Sequence, residues 1–242
     1  MADPMVIYTA GMSGVRSFDR RFVSVLREAG LRVLVNRWCR SWWPLKNLRD
    51  RGQHAEAVNR LESMIARLRE GGGQFAAATG DAGDGGKCGG EPVRIVLAGH
   101  STGCLITLEL LERLSEPVDL ALLLAAAVRP DYDLSRALAG ARRVEHFWSP
   151  LDPACSLGTP IAGTADGAYR RAAGAVGFSG PGSDDPRFRQ HRYDPAWARH
   201  GHIGGHTTCF TRPFVRNVLT PLIRGEDPND RGAAERASAG SD

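Results

Sequence analysis

The sequence lacks the features that mark secreted, membrane-spanning or nucleic-acid-binding chains. Its five cysteines (Cys39, Cys88, Cys104, Cys155 and Cys209) are an odd number without regular spacing. That argues against a disulfide framework and for free thiols in a reducing compartment. No apolar run approaches the ~20 residues of a membrane span, so stable membrane insertion is not expected. The opening MADPMVIYTAG has neither the basic segment nor the long apolar stretch of a secretory signal, which makes cytoplasmic the expected location. Positive charge is barely in excess, 31 basic against 27 acidic residues, and aromatics are only 7%. With no basic run interleaved with aromatics, no nucleic-acid partner is expected. There is no internal repeat. What remains is 242 residues, 42% hydrophobic and 24% charged, enough for one soluble domain with a substantial core.

Short apolar runs alternate with stretches of helical spacing. Residues 5–10 (MVIYTA) read as a buried strand. Residues 17–29 read as a helix with Phe18, Phe22, Val23 and Leu26 in phase and Gly30 as its stop. A strand over 31–35 follows, then the Trp-dense NRWCRSWWPLKNL, then a helix over 55–69 with Val58, Leu61, Ile65 and Leu68 on one face. Segment 71–91 is glycine-dense without apolar period and reads as a flexible surface insertion. Order resumes with a strand over 93–98, a helix over 102–114, strands over 118–127 and 143–148 with a short helix near 134–138 between them, a last strand over 188–193, and a helix over 213–223 with Pro213 in its first turn. Residues 153–186 show no clear period. The domain is therefore expected to span 1–225, with 226–242 a disordered tail. Continuously apolar strands alternating with helices give an α/β class, a mostly parallel sheet covered on both faces.

One motif carries chemistry. Gly99-His100-Ser101-Thr102-Gly103 fits G-x-S-x-G where an apolar strand runs into an amphipathic helix, and no other match occurs in the chain. A strand that turns sharply into a helix strains the serine at the tip, and a side chain at either glycine would meet backbone. With 29 glycines in the chain the bare pattern is weak, and its strand-to-helix context supplies the specificity. His100 beside the serine reads as a packed histidine.

A serine needs a base, and the base an orienting acid. In the α/β-hydrolase order of serine, acid, histidine, Asp152 follows the strand RVEHFW by a short turn and is favoured. Asp131 and Asp133, after the preceding strand, are alternatives, and Asp166 is a third with no strand before it. For the base, His206 stands beside Gly204-Gly205 and nearest the final helix, with His200, His202 and His191 as competitors. The H-x-H-x-x-x-H string also permits a metal reading, but zinc there would leave Ser101 without a partner, so neither metal nor cofactor is expected. Two backbone N–H groups must meet the oxyanion. Thr102 supplies one and Met12, in the loop Gly11-Met12-Ser13-Gly14, the other. The connection between 128 and 143 is too short for a multi-helix lid, so no large cap domain is expected. Only 159–178 is long enough to cover the serine.

The elbow GHSTG, RPDYDLSRAL, SPLDPACSLGT followed by GTADG, AAGAVGF, and GGH before a Phe-Val helix resemble a group of bacterial α/β-hydrolase-fold proteins. The resemblance spans most of the chain outside the insertion and tail. It implies a triad at Ser101, Asp152 and His206. His202 stands where that group would carry a polar residue such as Asn. The expected function is hydrolysis of an ester, thioester or related acyl bond in a small molecule. The alternatives are acyl transfer on the same residues or a binding module on a hydrolase fold.

Because 71–91 offers almost nothing able to pack, replacing it by a short Gly-Ser link should leave the melting temperature nearly unchanged. Calorimetry of the shortened chain tests this, and a fall of well over roughly ten degrees would mean a lost core contact.

Overall fold

The computed structural model describes residues 4–70 and 93–226. The glycine-dense segment 71–91 and the tail from 227 lie outside the described residues. Six strands form one parallel sheet: β1 (Met5–Thr9), β2 (Arg32–Asn36), β3 (Ile95–His100), β4 (Leu120–Leu124), β5 (Val144–Trp148) and β6 (Phe188–Arg192), in the order β2-β1-β3-β4-β5-β6. The register sets Ile7 beside both Leu34 and Leu97, and Leu97 beside Ala121.

The central strands are apolar throughout because each face is covered. One core joins Met5, Ile7, Leu97 and Leu123 to α3 (Arg51–Glu70), α4 (Gly103–Leu111) and α5 (Ser135–Ala139). The alternate residues Val6, Tyr8, Ala98 and Leu122 join α1 (Ser17–Glu28) and the C-terminal helices on the other side. The period of two along each strand thus builds two cores from one run of sequence.

Several elements depart from the sequence expectation. A short helix, α2 (Pro44–Arg49), closes the Trp-rich segment, and α3 starts at Arg51 instead of 55. The strand expected over 118–127 covers only Leu120–Leu124. Ala125 takes φ +50°, bending the chain so that Ala127 N–H reaches Ser101 O at 3.2 Å. The final helix is also interrupted. Between α8 (Arg212–Phe214) and α9 (Thr220–Arg224), Val215–Leu219 widens to a π turn. A second π turn, Ala154–Gly158, precedes α6 (Thr159–Ala162) in the stretch that showed no period, which also holds α7 (Ala173–Val176). Both π turns run into Thr-Pro. Proline has no N–H to continue the i−4 ladder, and the threonine hydroxyl takes up a carbonyl instead: Thr159 Oγ1 to Cys155 O and Thr220 Oγ1 to Val215 O, each at 2.8 Å. Among the described residues there is no large cap domain.

Leu122 is fully buried in the central strand β4. Leu122→Ala should lower unfolding free energy by roughly 2–5 kcal/mol, measurable as a shifted urea midpoint at unchanged slope.

Candidate active site

The connection after β1 leads to β2 on one side and the connection after β3 leads to β4 on the other, so the strand order reverses between β1 and β3. In open parallel sheets such a reversal opens a crevice at the carboxyl ends of the two strands. Here the crevice holds the loop after β1 and Ser101 after β3. Ser101 has φ +55°, a left-handed conformation that L residues adopt only under constraint. Its N–H donates to Leu124 O at 2.9 Å, and its carbonyl accepts from Cys104 N and Ala127 N at 3.1 and 3.2 Å. The flanking glycines are required sterically. A Cβ at Gly99 would lie 2.8 Å from Gly103 O and 2.9 Å from Cys104 Cα. One at Gly103 would lie 2.7 Å from Ala10 O and press on Thr9 O.

Asp152 comes from the turn after β5 and is 1% exposed. Its Oδ2 accepts from His206 Nδ1 at 2.7 Å, while Oδ1 accepts the N–H groups of Ala154 and Cys155 at 2.9 and 3.0 Å. With the Nδ1 proton held by Asp152, the lone pair of neutral His206 sits on Nε2. His206 and Ser101 line the same cavity of about 200 Å³, with Met12, Phe18, Leu48, Ala127, Cys155 and Ala162 among its walls. His100, next to the serine, is buried and turned under His206. Its Nε2 donates to His206 O at 3.2 Å and its ring lies 4.8 Å from that of His206. Burial, reinforced by His206, holds its pKa well below the ordinary histidine value.

Gly11 meets the serine closely, since a Cβ there would be 3.2 Å from Ser101 Cβ. Among the described residues, neither Met12 N–H nor Thr102 N–H meets a hydrogen-bond acceptor.

No family model and no curated protein matches the chain. Among solved structures, esterase PE8 superposes with a TM-score of 0.51 at 17% identity, covering 93% of each chain. Others are the dienelactone hydrolase-like promiscuous phosphotriesterase P91 from metagenomic libraries (TM-score 0.48, 15% identity, 91% of this chain and 85% of that one) and carboxylesterase CesB from Bacillus subtilis (0.45, 11%, 92% and 84%). The chain has the α/β-hydrolase fold.

On this hydrolase fold the other sequence candidates fall elsewhere. Asp131 pairs with Arg170 at the surface, Asp133 accepts from Ser135 N ahead of α5, and Asp166 accepts from Arg129 N. His191 bonds to buried Glu145. His200 lies at the surface, its Nδ1 3.4 Å from Asn217 Nδ2. His202 stacks on Trp197 with Nδ1 2.7 Å from Thr208 Oγ1, and burial pushes its pKa down to about 4. The histidine string does not converge on a ligand set among the described residues. One grouping, Asp152, Cys155 and His206, has ligand atoms within 4.8 Å of one another. An ion there would have to displace the 2.7 Å bond in which His206 Nδ1 and Asp152 Oδ2 already satisfy each other. Of segment 159–178 only Thr159, Ala162 and Gly163 line the cavity; the preceding π turn and Leu48 of α2 close the rest. Sequence reading missed Phe18, Leu48 and Cys155 as cavity walls. Phe18 and Leu48 look like ordinary helix positions, and nothing local marks them.

His54, His100, His146 and His202 all have pKa values lowered from 6.5 by burial, to about 3 for His146 and about 4 for His202. The unfolded chain therefore binds more protons below pH 6.5, and stability should fall as pH drops from there toward 4. Urea midpoints at pH 7, 6, 5 and 4 test this; a midpoint rising over that descent would contradict it.

Proposed function

We propose that the chain is a serine hydrolase that cleaves an ester, thioester or related acyl bond of a small molecule through an acyl-enzyme. The observation that carries the reading is the 2.7 Å Asp152–His206 bond opening onto the same cavity as a serine strained at the tip of β3. Ser101 Oγ attacks the acyl carbon while His206 Nε2 takes its proton. Asp152 holds the imidazole in the tautomer that leaves Nε2 free and stabilises the imidazolium that forms. The amides of Met12 and Thr102 receive the oxyanion. As the tetrahedral adduct collapses, His206 returns the proton to the departing alcohol or thiol. Water, deprotonated by the same nitrogen, then releases the acid and restores Ser101.

The cavity, about 200 Å³, is smaller than the ~300–1,000 Å³ of pockets for drug-sized ligands, and its walls are mainly apolar. Short apolar acyl groups fit it. No cofactor takes part in this scheme.

A fluorophosphonate probe should label the wild type at Ser101, and Ser101→Ala should abolish labelling and lower ester turnover by about three orders of magnitude or more. His206→Ala should lose acylation to a similar degree, whereas His202→Gln should keep it, since His202 bonds to Thr208 and not to Asp152. Dead His202→Gln beside an active His206→Ala would exchange the two roles. Product analysis with added alcohols separates hydrolysis from acyl transfer, and a p-nitrophenyl ester series should favour acetyl to butyryl over long chains.

A further inference from the structure

The loop after β1 is held from behind by the Trp-rich segment, a contact that the hydrolase reading leaves without a purpose. Three consecutive carbonyls of this loop point toward that segment. Trp38 Nε1 donates to Ala10 O at 2.8 Å. Gly11 O accepts from Gly14 N at 3.0 Å and lies 3.4 Å from Cys39 Sγ. Asn47 Nδ2 donates to Met12 O at 2.9 Å. In a trans peptide the N–H points opposite the preceding C=O, so drawing these carbonyls one way turns the amides of Gly11, Met12 and Ser13 the other way. The direction in which a Gly11 Cβ would point, 3.2 Å from Ser101 Cβ, marks the serine side of the loop.

Asn47 is 1% exposed and all its hydrogen-bonding groups are engaged. Besides Met12 O, Nδ2 donates to Ser41 O at 2.7 Å, and Oδ1 accepts from Ser41 N and Gln53 Nε2 at 3.0 and 3.2 Å. His54 Nε2 bonds to the Asn47 carbonyl at 2.9 Å, tying the residue to α3 as well. A buried amide that bridges two loops in this way fixes their mutual position, because its donors and acceptors cannot all be satisfied elsewhere.

We infer that Asn47 and Trp38 are positioning residues that clamp the Met12–Ser13 and Ala10–Gly11 peptides on either side of the Gly11–Met12 peptide, and so preset the Met12 amide that receives the oxyanion. The inference rests on the hydrolase reading above and adds to it the device that orients the loop. Amides preset in this way gain most where charge develops on the acyl oxygen, so loosening them costs turnover more than ground-state binding.

The test uses Asn47→Asp, Asn47→Ala and Trp38→Phe, with Leu68→Ala, a core truncation in α3 outside this network, as control. Asn47→Asp keeps the acceptor for Ser41 and Gln53 but sets oxygen against the Met12 and Ser41 carbonyls. Trp38→Phe keeps an aromatic ring near His54, whose ring lies 5.1 Å from that of Trp38, and removes the N–H with part of the indole, so it serves if the Asn47 variants fail to fold. For a p-nitrophenyl butyrate substrate, the Asn47 variants should lose about 10–100-fold in kcat with KM within roughly twofold, below the ~10²–10³ of a deleted donor. Affinity for a trifluoromethyl ketone, which forms the tetrahedral adduct, should fall by the same factor as kcat/KM. Trp38→Phe should show a smaller loss of the same kind. Unchanged kcat in the folded variants, or an equal kcat loss in Leu68→Ala at matched melting temperature, would overturn the assignment. A wild type that neither turns over esters nor labels would instead overturn the hydrolase reading, and this role with it.

Discussion

Ser101 sits in a backbone region that costs an L residue about 1–3 kcal/mol, and its neighbours hold it there. Leu124 O fixes its N–H, and the amides of Cys104 and Ala127 fix its carbonyl. The second of these bonds exists only because β4 bends at Ala125, itself at φ +50°. A Cβ at Gly174 would lie 2.7 Å from both the Ala125 carbonyl carbon and Cys155 Sγ. Bare backbone under the bend therefore allows the strained tip, the bent strand and the Cys155 turn to pack together. On the other side, Gly103 lets α4 press against the β1 carbonyls, which brings Gly11 to the serine. The two strained residues and the glycines that accommodate them form one steric unit from which the rest of the crevice extends.

This explains which parts were legible in the sequence. The elbow is a local steric problem, and the two glycines around Ser101 are its local solution, so the pattern and its strand-to-helix context could be read from adjacent residues. The sheet was legible for a similar reason: burial on both faces makes LALLL apolar at every position and MVIYT apolar up to its last residue, Thr9. The stretch 153–186 was not legible. Its turns are set by the Thr159-Pro160 pair, by Asp152 capping the turn that follows it and by backbone packing of Gly174, none of which leaves an apolar period. Asn47 was equally silent, because its four contacts lie partly across the fold in the β1 loop and partly in a segment whose tryptophans dominate any reading of composition.

The histidines divide by environment in a way that sequence cannot supply. Spacing alone leaves His200, His202 and His206 as near equals on one loop. The fold separates them by what surrounds each ring: His202 is enclosed by Trp197, Tyr193 and Phe214, whereas His206 opens on the cavity and has a carboxylate behind it. Burial among aromatics disfavours the imidazolium. A base must form that cation in every turnover, so the enclosed ring is poorly suited to the work and the carboxylate-backed ring well suited.

Asp152 ties the acid to the wall of the cavity. One of its oxygens meets His206; the other accepts the amides of Ala154 and Cys155, the first residues of the π turn that lines the pocket, and its carbonyl accepts from Ser156 N and Oγ at 3.0 and 2.6 Å. The widened turn brings Ala154, Cys155 and Gly158 to the cavity while Leu157 and Ile161 stay exposed. A shift of this wall to admit a bulkier acyl group would pull on the same amides that aim the carboxylate. In the proposed reaction, acyl size and the alignment of His206 would therefore be mechanically coupled through this turn.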